Sequence, residues 1–174
     1  MTGTLYRVGQ FTRALWPKVS AKDIAYIQNL LNVQQAHLFF NLPLFEQRHA
    51  LNVCQTLVRG GFGNDVELLQ AALLHDLGKT DPDCGRYIPL WGKVANVILR
   101  KFGGRGLVAK VACREPQSWR YIFYLQFRHE KRSARLARAA GSATRVVALV
   151  GNCQTLLREQ DPAALALKWA DDLN

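Results

Sequence analysis

An all-α fold is what this sequence predicts, on three observations. Apolar residues recur every three or four positions through most of the chain, and the starts of these runs carry capping side chains or proline. Nowhere do two segments of alternating polarity flank a turn as a strand pair would. With 174 residues, 49% of them apolar and 21% charged, the chain is long and apolar enough to close a continuous core, and disorder is excluded. It carries no internal repeat and no low-complexity segment.

Residues 1–19 read as a lead-in, with Phe11, Leu15 and Trp16 available to pack and Pro17 breaking whatever precedes it. One helical domain over residues 20–174 is expected to follow. Ser20 to Asp23 forms a capping-box pattern ahead of a first helix that carries Ile24, Ile27, Leu30, Leu31, Leu38 and Phe39. Asn41-Leu42-Pro43 interrupts it, and Pro43 suits the start of a second helix with Phe45, His49, Val53 and Leu57 on one inward stripe, stopped by Gly60-Gly61.

Gly63-Asn64-Asp65 caps a third helix, Val66 to His75, whose apolar face includes Leu68, Leu69, Ala72 and Leu73. Asp81 to Gly85 reads as a loop. Helical spacing resumes from Trp91 to Phe102 through Val94, Val97 and Ile98 and ends at Gly103-Gly104. His129 opens a further helix, with Ser133, Leu136, Ala137 and Ala140 on its own side and Gly141 as its C-cap. A helix around Val146 to Leu157 follows, and Asp161-Pro162 caps a last one, Ala163 to Leu173.

Lys and Arg total 23 against 13 Asp and Glu, a net charge of +10, so the expected partners are anionic. About half of the positively charged residues lie between Lys93 and Arg138, where Glu115 and Glu130 are the only acids. Trp119, Tyr121, Phe123, Tyr124 and Phe127 lie among these charges, at a spacing that favours core packing over stacking on bases. The four cysteines, Cys54, Cys84, Cys113 and Cys153, form no Cys-x-x-Cys pair, and reduced thiols in a cytoplasmic protein are the expectation. No transmembrane segment and no signal peptide is read in the sequence.

The chemistry is expected to centre on Ala71 to Thr80, where a buried helix ends in His75-Asp76 and continues as Gly78-Lys79. An imidazole beside a carboxylate at the end of a buried helix is costly to desolvate, and a divalent cation compensates both; taken alone, the pair also fits a His that caps the helix beside an Asp that opens the next turn. His49 on the second helix and Asp171 on the last are further metal-ligand types, although spacing alone does not show that they meet.

The series His49, His75-Asp76 and Ala170-Asp171, with Leu73-Leu74-His75-Asp76-Leu77-Gly78-Lys79 as its most specific part, resembles the HD-domain superfamily of metal-dependent phosphohydrolases, in its HD-x-GK form. The resemblance covers residues 20–174. It implies an HD-like helical bundle in which His49, His75, Asp76 and Asp171 ligate a divalent metal ion, without distinguishing Mn, Mg, Fe, Ni, Co or Zn. It also implies hydrolysis of a phosphate ester of a nucleotide or small phosphorylated metabolite by metal-activated water.

Asp76, Lys79 and His129 are then the catalytic candidates. Lys79, Arg48 and Arg128 are candidates for the anionic substrate, with a structural or surface role open for each. Where the two-metal pattern would place a further histidine, this chain has Cys153, so one metal is expected, with a second weak or absent. His37 is read as structural, and Glu46, Asp81 and Asp83 as candidates to orient a ligand histidine or to serve as base. The competing expectation is a catalytically weak HD module that binds a nucleotide or nucleic acid for regulation. Nucleic acid is the less favoured partner, and the oligomeric state is open.

Overall fold

Residues 18–174 are described by the computed structural model, and the expected lead-in through Pro17 lies outside them. The fold is all-α. The first expected helix is two: α1 (Ala21–Leu30) and α2 (Val33–Phe40). Ser20 caps α1 in a capping box with Asp23, and Asn32 repeats the device with Gln35, each side chain bonding the other's backbone N–H. That second box turns the chain where a continuous helix was expected. Asn32 Nδ2 also donates to the Ala140 carbonyl at 2.9 Å, and Gln35 Nε2 to Ser142 Oγ at 2.8 Å, which pins the corner to the far end of the bundle.

α3 (Leu44–Leu57) begins after Pro43 and runs into a wider helical turn, Val58–Phe62, where Gly61 takes φ +92 and ends the helix. α4 (Val66–Leu74) is capped by Asp65, which accepts from Leu68 N at 3.1 Å and is gripped by both terminal nitrogens of Arg145. Leu68, Leu69, Ala71, Ala72, Leu73 and Leu74 are all buried, so α4 beyond its first turn is apolar on nearly every side, Gln70 excepted, and sits centrally in the bundle. It packs against α1, α2, α3, α7 (Thr144–Gly151) and α9 (Pro162–Asp172).

Past α4 the chain makes a short 3-10 turn, Leu77–Lys79, and a two-residue antiparallel ladder, Thr80–Asp81 with Arg86–Tyr87, where only a loop was expected. α5 (Leu90–Val111) does not end at Gly103-Gly104. Gly104 adopts φ +61 and kinks it, and helical geometry resumes beyond. Its orientation also differs from expectation: Val94, Val97 and Ile98 face solvent, while Gly92, Asn96 and Val108 face inward. Gly92 permits this, because a Cβ there would meet Ile122 Cδ1 at 2.9 Å.

α6 (Tyr121–Ala139) starts eight residues before His129, which therefore sits mid-helix instead of opening it. The aromatic run hides this start by placing buried Tyr121, Ile122, Phe123 and Leu125 almost consecutively. α7 and α8 (Cys153–Arg158) replace the single helix expected there, with Asn152 at the break. α9 follows its Asp161 cap and Pro162 as expected. Among the described residues no helix is long and apolar enough to cross a membrane.

Asp81 fastens the ladder to α6. Its carboxylate accepts from the Tyr121 hydroxyl and faces Arg132 Nη2 at 3.4 Å. Burial pushes its pKa up, but the Tyr121 hydrogen bond and the Arg132 charge outweigh that and hold it below the usual carboxylate value. A depressed folded pKa contributes stability that is complete above the unfolded-state value and fades as pH falls through the folded one. Asp81→Asn is therefore expected to cost about 1–3 kcal/mol in urea unfolding near pH 7, and the gap to wild type should shrink below about pH 4. A gap that stays constant into acid would remove this assignment.

Candidate metal centre

Two helices, α3 and α9, and the residue pair that follows α4 supply the site. His49 projects from the middle of α3, Asp171 from the last turn of α9, and His75 caps the end of α4. His49 Nε2, His75 Nε2 and an Asp171 carboxylate oxygen all lie within 4.8 Å of one another, and this trio can hold a metal ion. The closest approach is His49 Nε2 to Asp171 Oδ1 at 3.1 Å, with His75 Nε2 at 3.7 Å from the same oxygen. Asp76 turns its carboxylate back toward the trio, with Oδ2 at 3.3 Å from His75 Nε2 and 3.7 Å from His49 Nε2. All four candidate ligands thus come together.

The tautomer of His75 suits this use. Its Nδ1 lies 2.8 Å from the Ala72 carbonyl, which only accepts, so Nδ1 carries a proton and Nε2 is the nitrogen that would give up its proton to a metal ion. That Nε2 is buried and makes no hydrogen bond among the described residues. An orphaned imidazole nitrogen facing two carboxylates is the observation against which a divalent cation is tested, and it fits. Two imidazole nitrogens with carboxylate oxygens suit borderline divalent ions better than an all-oxygen calcium cage.

The electrostatics agree. Burial alone would depress the His75 pKa, yet Asp76 and Asp171 outweigh it and raise it well above its ordinary value. Burial would likewise raise Asp76, but His75, Lys79 and His49 hold it well below the carboxylate range. Asp171 is lowered against its burial by its hydrogen bond with His49 and by the charge of His75. A pair of carboxylates that draws a proton onto His75 draws a cation for the same reason.

Lys79 is tied inward. Its Nζ donates to Asp76 Oδ2 at 2.5 Å and lies 3.8 Å from Glu46 Oε2, and Glu46, 1% exposed, pairs on its other oxygen with Lys93 at 2.7 Å. The Lys79 pKa is raised, with Asp76 and Glu46 overcoming burial, so the group is an ammonium. Glu46 therefore orients a lysine instead of a ligand histidine. Asp81 is occupied by Tyr121 and Arg132, and the backbone N–H of Asp83 donates to Asp81 Oδ1.

A cavity of about 430 Å³ opens beside these residues. Lys79, His129 and Asp171 line it together with His75, Asp76 and Asn96. His129 Nδ1 lies 2.7 Å from the Gln126 carbonyl, repeating the His75 arrangement, and burial reinforced by the Lys79 charge outweighs Asp76 to depress its pKa. His129 is thus a neutral imidazole with Nε2 as acceptor. Cys153 also lines the cavity, as a thiol whose pKa is pushed up by burial and by Glu130 and Asp171.

Arg48 and Arg128 do not line the cavity. Arg48 is spent on α1 and the residues before it, with Nη1 3.2 Å from both Asp23 Oδ2 and the Lys18 carbonyl. Arg128 is half-buried on α6. His37 lies exposed in the last turn of α2, with Nδ1 3.4 Å from Asn41 Nδ2.

The functional reading of the sequence passed over Asn96 and Lys93. Both sit on the face of α5 opposite the apolar stripe, and recognising them required seeing that Gly92, Ala95 and Asn96 mark the inner side of that helix. Asn96 is 6% exposed, lines the cavity and has an unpartnered Oδ1.

No family model matches the chain, and no curated protein or solved structure matches it. Fold and site together define an all-α protein with a histidine and aspartate cluster that can hold a metal ion.

Proposed function

We propose that the chain is a metal-dependent phosphohydrolase of the HD type, cleaving a phosphate ester of a nucleotide or small phosphorylated metabolite. The observation that carries this reading is the convergence of His49, His75, Asp76 and Asp171, the last three at the wall of a cavity that also receives Lys79 and His129. Those four residues would hold one divalent ion. When bound, such an ion lowers the pKa of water and offsets phosphoryl charge.

The chain's own groups divide the remaining work. The Lys79 ammonium, fixed between Asp76 and Glu46, presents positive charge to a phosphate oxygen at the cavity wall. Neutral His129, with its proton held on Nδ1 by the Gln126 carbonyl, accepts a proton or orients an attacking water through Nε2. In that state it has no proton to give a leaving group on the Nε2 side. The unpartnered Asn96 Oδ1 accepts from a donor on the organic part of the substrate.

Metal content of the purified protein, followed by a phosphomonoesterase and phosphodiesterase panel with Mn, Mg, Ni, Co and Fe, tests this reading. Metal-dependent turnover is expected, and Asp76→Ala should reduce it by more than about 100-fold with helical content retained. Full turnover by metal-depleted Asp76→Ala would end the proposal. Asn96 gives a second readout: Asn96→Leu removes a buried orphan acceptor, so it should leave unfolding unchanged or stabilise by about 1 kcal/mol while lowering turnover. Lower stability without a change in turnover would place Asn96 in the scaffold.

The Cys153 thiol, at the position where the two-metal pattern has histidine, favours a second reading, that of a catalytically weak module that binds a nucleotide or nucleic acid. It predicts a salt-dependent shift of RNA or DNA and no metal-dependent turnover anywhere in the panel.

A further inference from the structure

The outer face of α5 has no role in the core or in the metal centre. Trp91, Val94, Ile98 and Phe102 follow one another at three- and four-residue steps and therefore share one side of the helix, over about 16 Å. All four are exposed, Trp91 at 55% and Phe102 at 80%, and Val97 flanks them. Tyr87 and Trp119 extend the same apolar surface beyond the start of α5, where with Trp91 and Pro89 they line a shallow groove. Trp119, 62% exposed, stacks only an edge against Phe123. A contiguous surface of this kind, with three aromatic rings gathered at one end, marks an interaction site and not scattered exposure.

The charge around this face narrows the partner. From Trp91 to Lys110 the sequence contains Lys and Arg and no acidic residue, and Lys101 and Lys110 are exposed on the same helix. A second copy would set two such basic faces against each other in a chain of net charge +10, which disfavours self-association. Nucleic acid would satisfy the lysines but would leave Val94, Val97 and Ile98 without an apolar phase to enter. A bilayer carrying anionic headgroups satisfies both, since its interface takes aromatic and aliphatic side chains while its phosphates attract lysine. The face is the convex side of a helix, which suits a yielding surface better than a preformed pocket. No helix among the described residues is long and apolar enough to span, so contact through α5 would lie in the interface plane.

We infer that the outer face of α5, continued by Tyr87 and Trp119, docks the protein on an anionic lipid bilayer. This inference is independent of the proposed chemistry, and its test needs no substrate. The full chain is sedimented with sucrose-loaded vesicles of phosphatidylcholine alone, and with vesicles containing about one third phosphatidylglycerol, near physiological salt. Binding to the anionic vesicles is expected to be at least about tenfold stronger than to the neutral ones, with a blue shift of tryptophan emission. The double variant Ile98→Glu/Phe102→Glu should lose at least about tenfold of that binding, and Lys101→Glu should weaken it on anionic vesicles only.

Ile98 and Phe102 are exposed, so circular dichroism and melting of the double variant should match wild type. A destabilised variant together with a wild type that ignores vesicles would mean the face is covered from within the chain, and would overturn the inference. So would equal vesicle binding by wild type and double variant. A DNA duplex bound tightly and released by the same substitutions, or a dimer in light scattering that they dissolve, would reassign the face to those partners.

Discussion

Asp171→Asn should bind Mn(II) or Zn(II) more than about 100-fold more weakly than the wild type, while unfolding within about 1 kcal/mol of it. The two halves of this expectation have separate causes. Asp171 supplies one of the three donor atoms that lie within 4.8 Å of one another, so the substitution removes a direct anionic ligand. Loss of an outer hydrogen-bond partner of a metal ligand already costs about 10–100-fold in affinity, and a direct ligand should cost more.

The small change in stability follows from position. The Asp171 side chain is 40% exposed, water screens its attraction to the two imidazoles, and the asparagine amide oxygen can still accept from His49 Nε2. Competition against a chromophoric chelator measures the first quantity and urea unfolding the second. His37→Ala is the control, since His37 lies exposed on α2 beside Asn41 and should change neither. Wild-type metal affinity in Asp171→Asn would remove Asp171 from the site and with it the convergence on which the proposed chemistry depends.

How much of this was legible beforehand depended on whether a signal was local. The Ser20 and Asp161 caps and the Pro43 start are read from a few adjacent residues, and the structure has all three. The Asn32 and Gln35 box is equally local but sits inside a run of correct helical spacing, Leu30, Leu31 and Leu38, which masked the corner it makes. Rotation of a helix is not local. Val94, Val97 and Ile98 have the spacing of a core stripe, yet the tight approach of Gly92 to Ile122 turns the other side of α5 inward.

The site divides in the same way. His49, His75, Asp76 and Asp171 were legible because their types are uncommon on apolar helix faces and occur in a recognisable order. The Lys79–Glu46–Lys93 chain and Asn96 were not, because which polar residue faces a cavity is set by packing between α3, α5 and the turn after α4.

Gly78→Ala tests that packing most severely. The constraint on Gly78 is steric, because its φ is not positive. A Cβ there would stand 2.2 Å from the His129 carbonyl oxygen and 2.7 Å from both Ser133 N and Arg132 Cβ. Two of those atoms are backbone in the middle of α6, so no side-chain rotation relieves the overlap and the helix itself has to move. The same approach lets the Gly78 N–H donate to buried Ser133 Oγ at 2.7 Å, a bond that the movement would also stretch. The expected cost is about 3 kcal/mol or more, at the upper end for an added methyl in a packed interior.

Gly106→Ala is the matched control. Gly106 lies in α5 with open space around its Cβ position, and the change should be neutral or stabilise by up to about 1 kcal/mol. Function should separate along the same line. His49, His75 and Asp171 come from α3, α4 and α9, whereas His129 rides on α6, so displacement of α6 should spare metal affinity more than turnover. Unfolding of Gly78→Ala within about 0.5 kcal/mol of wild type would mean that the turn and α6 do not approach this closely, and His129 would lose its fixed place beside Asp76 and Lys79.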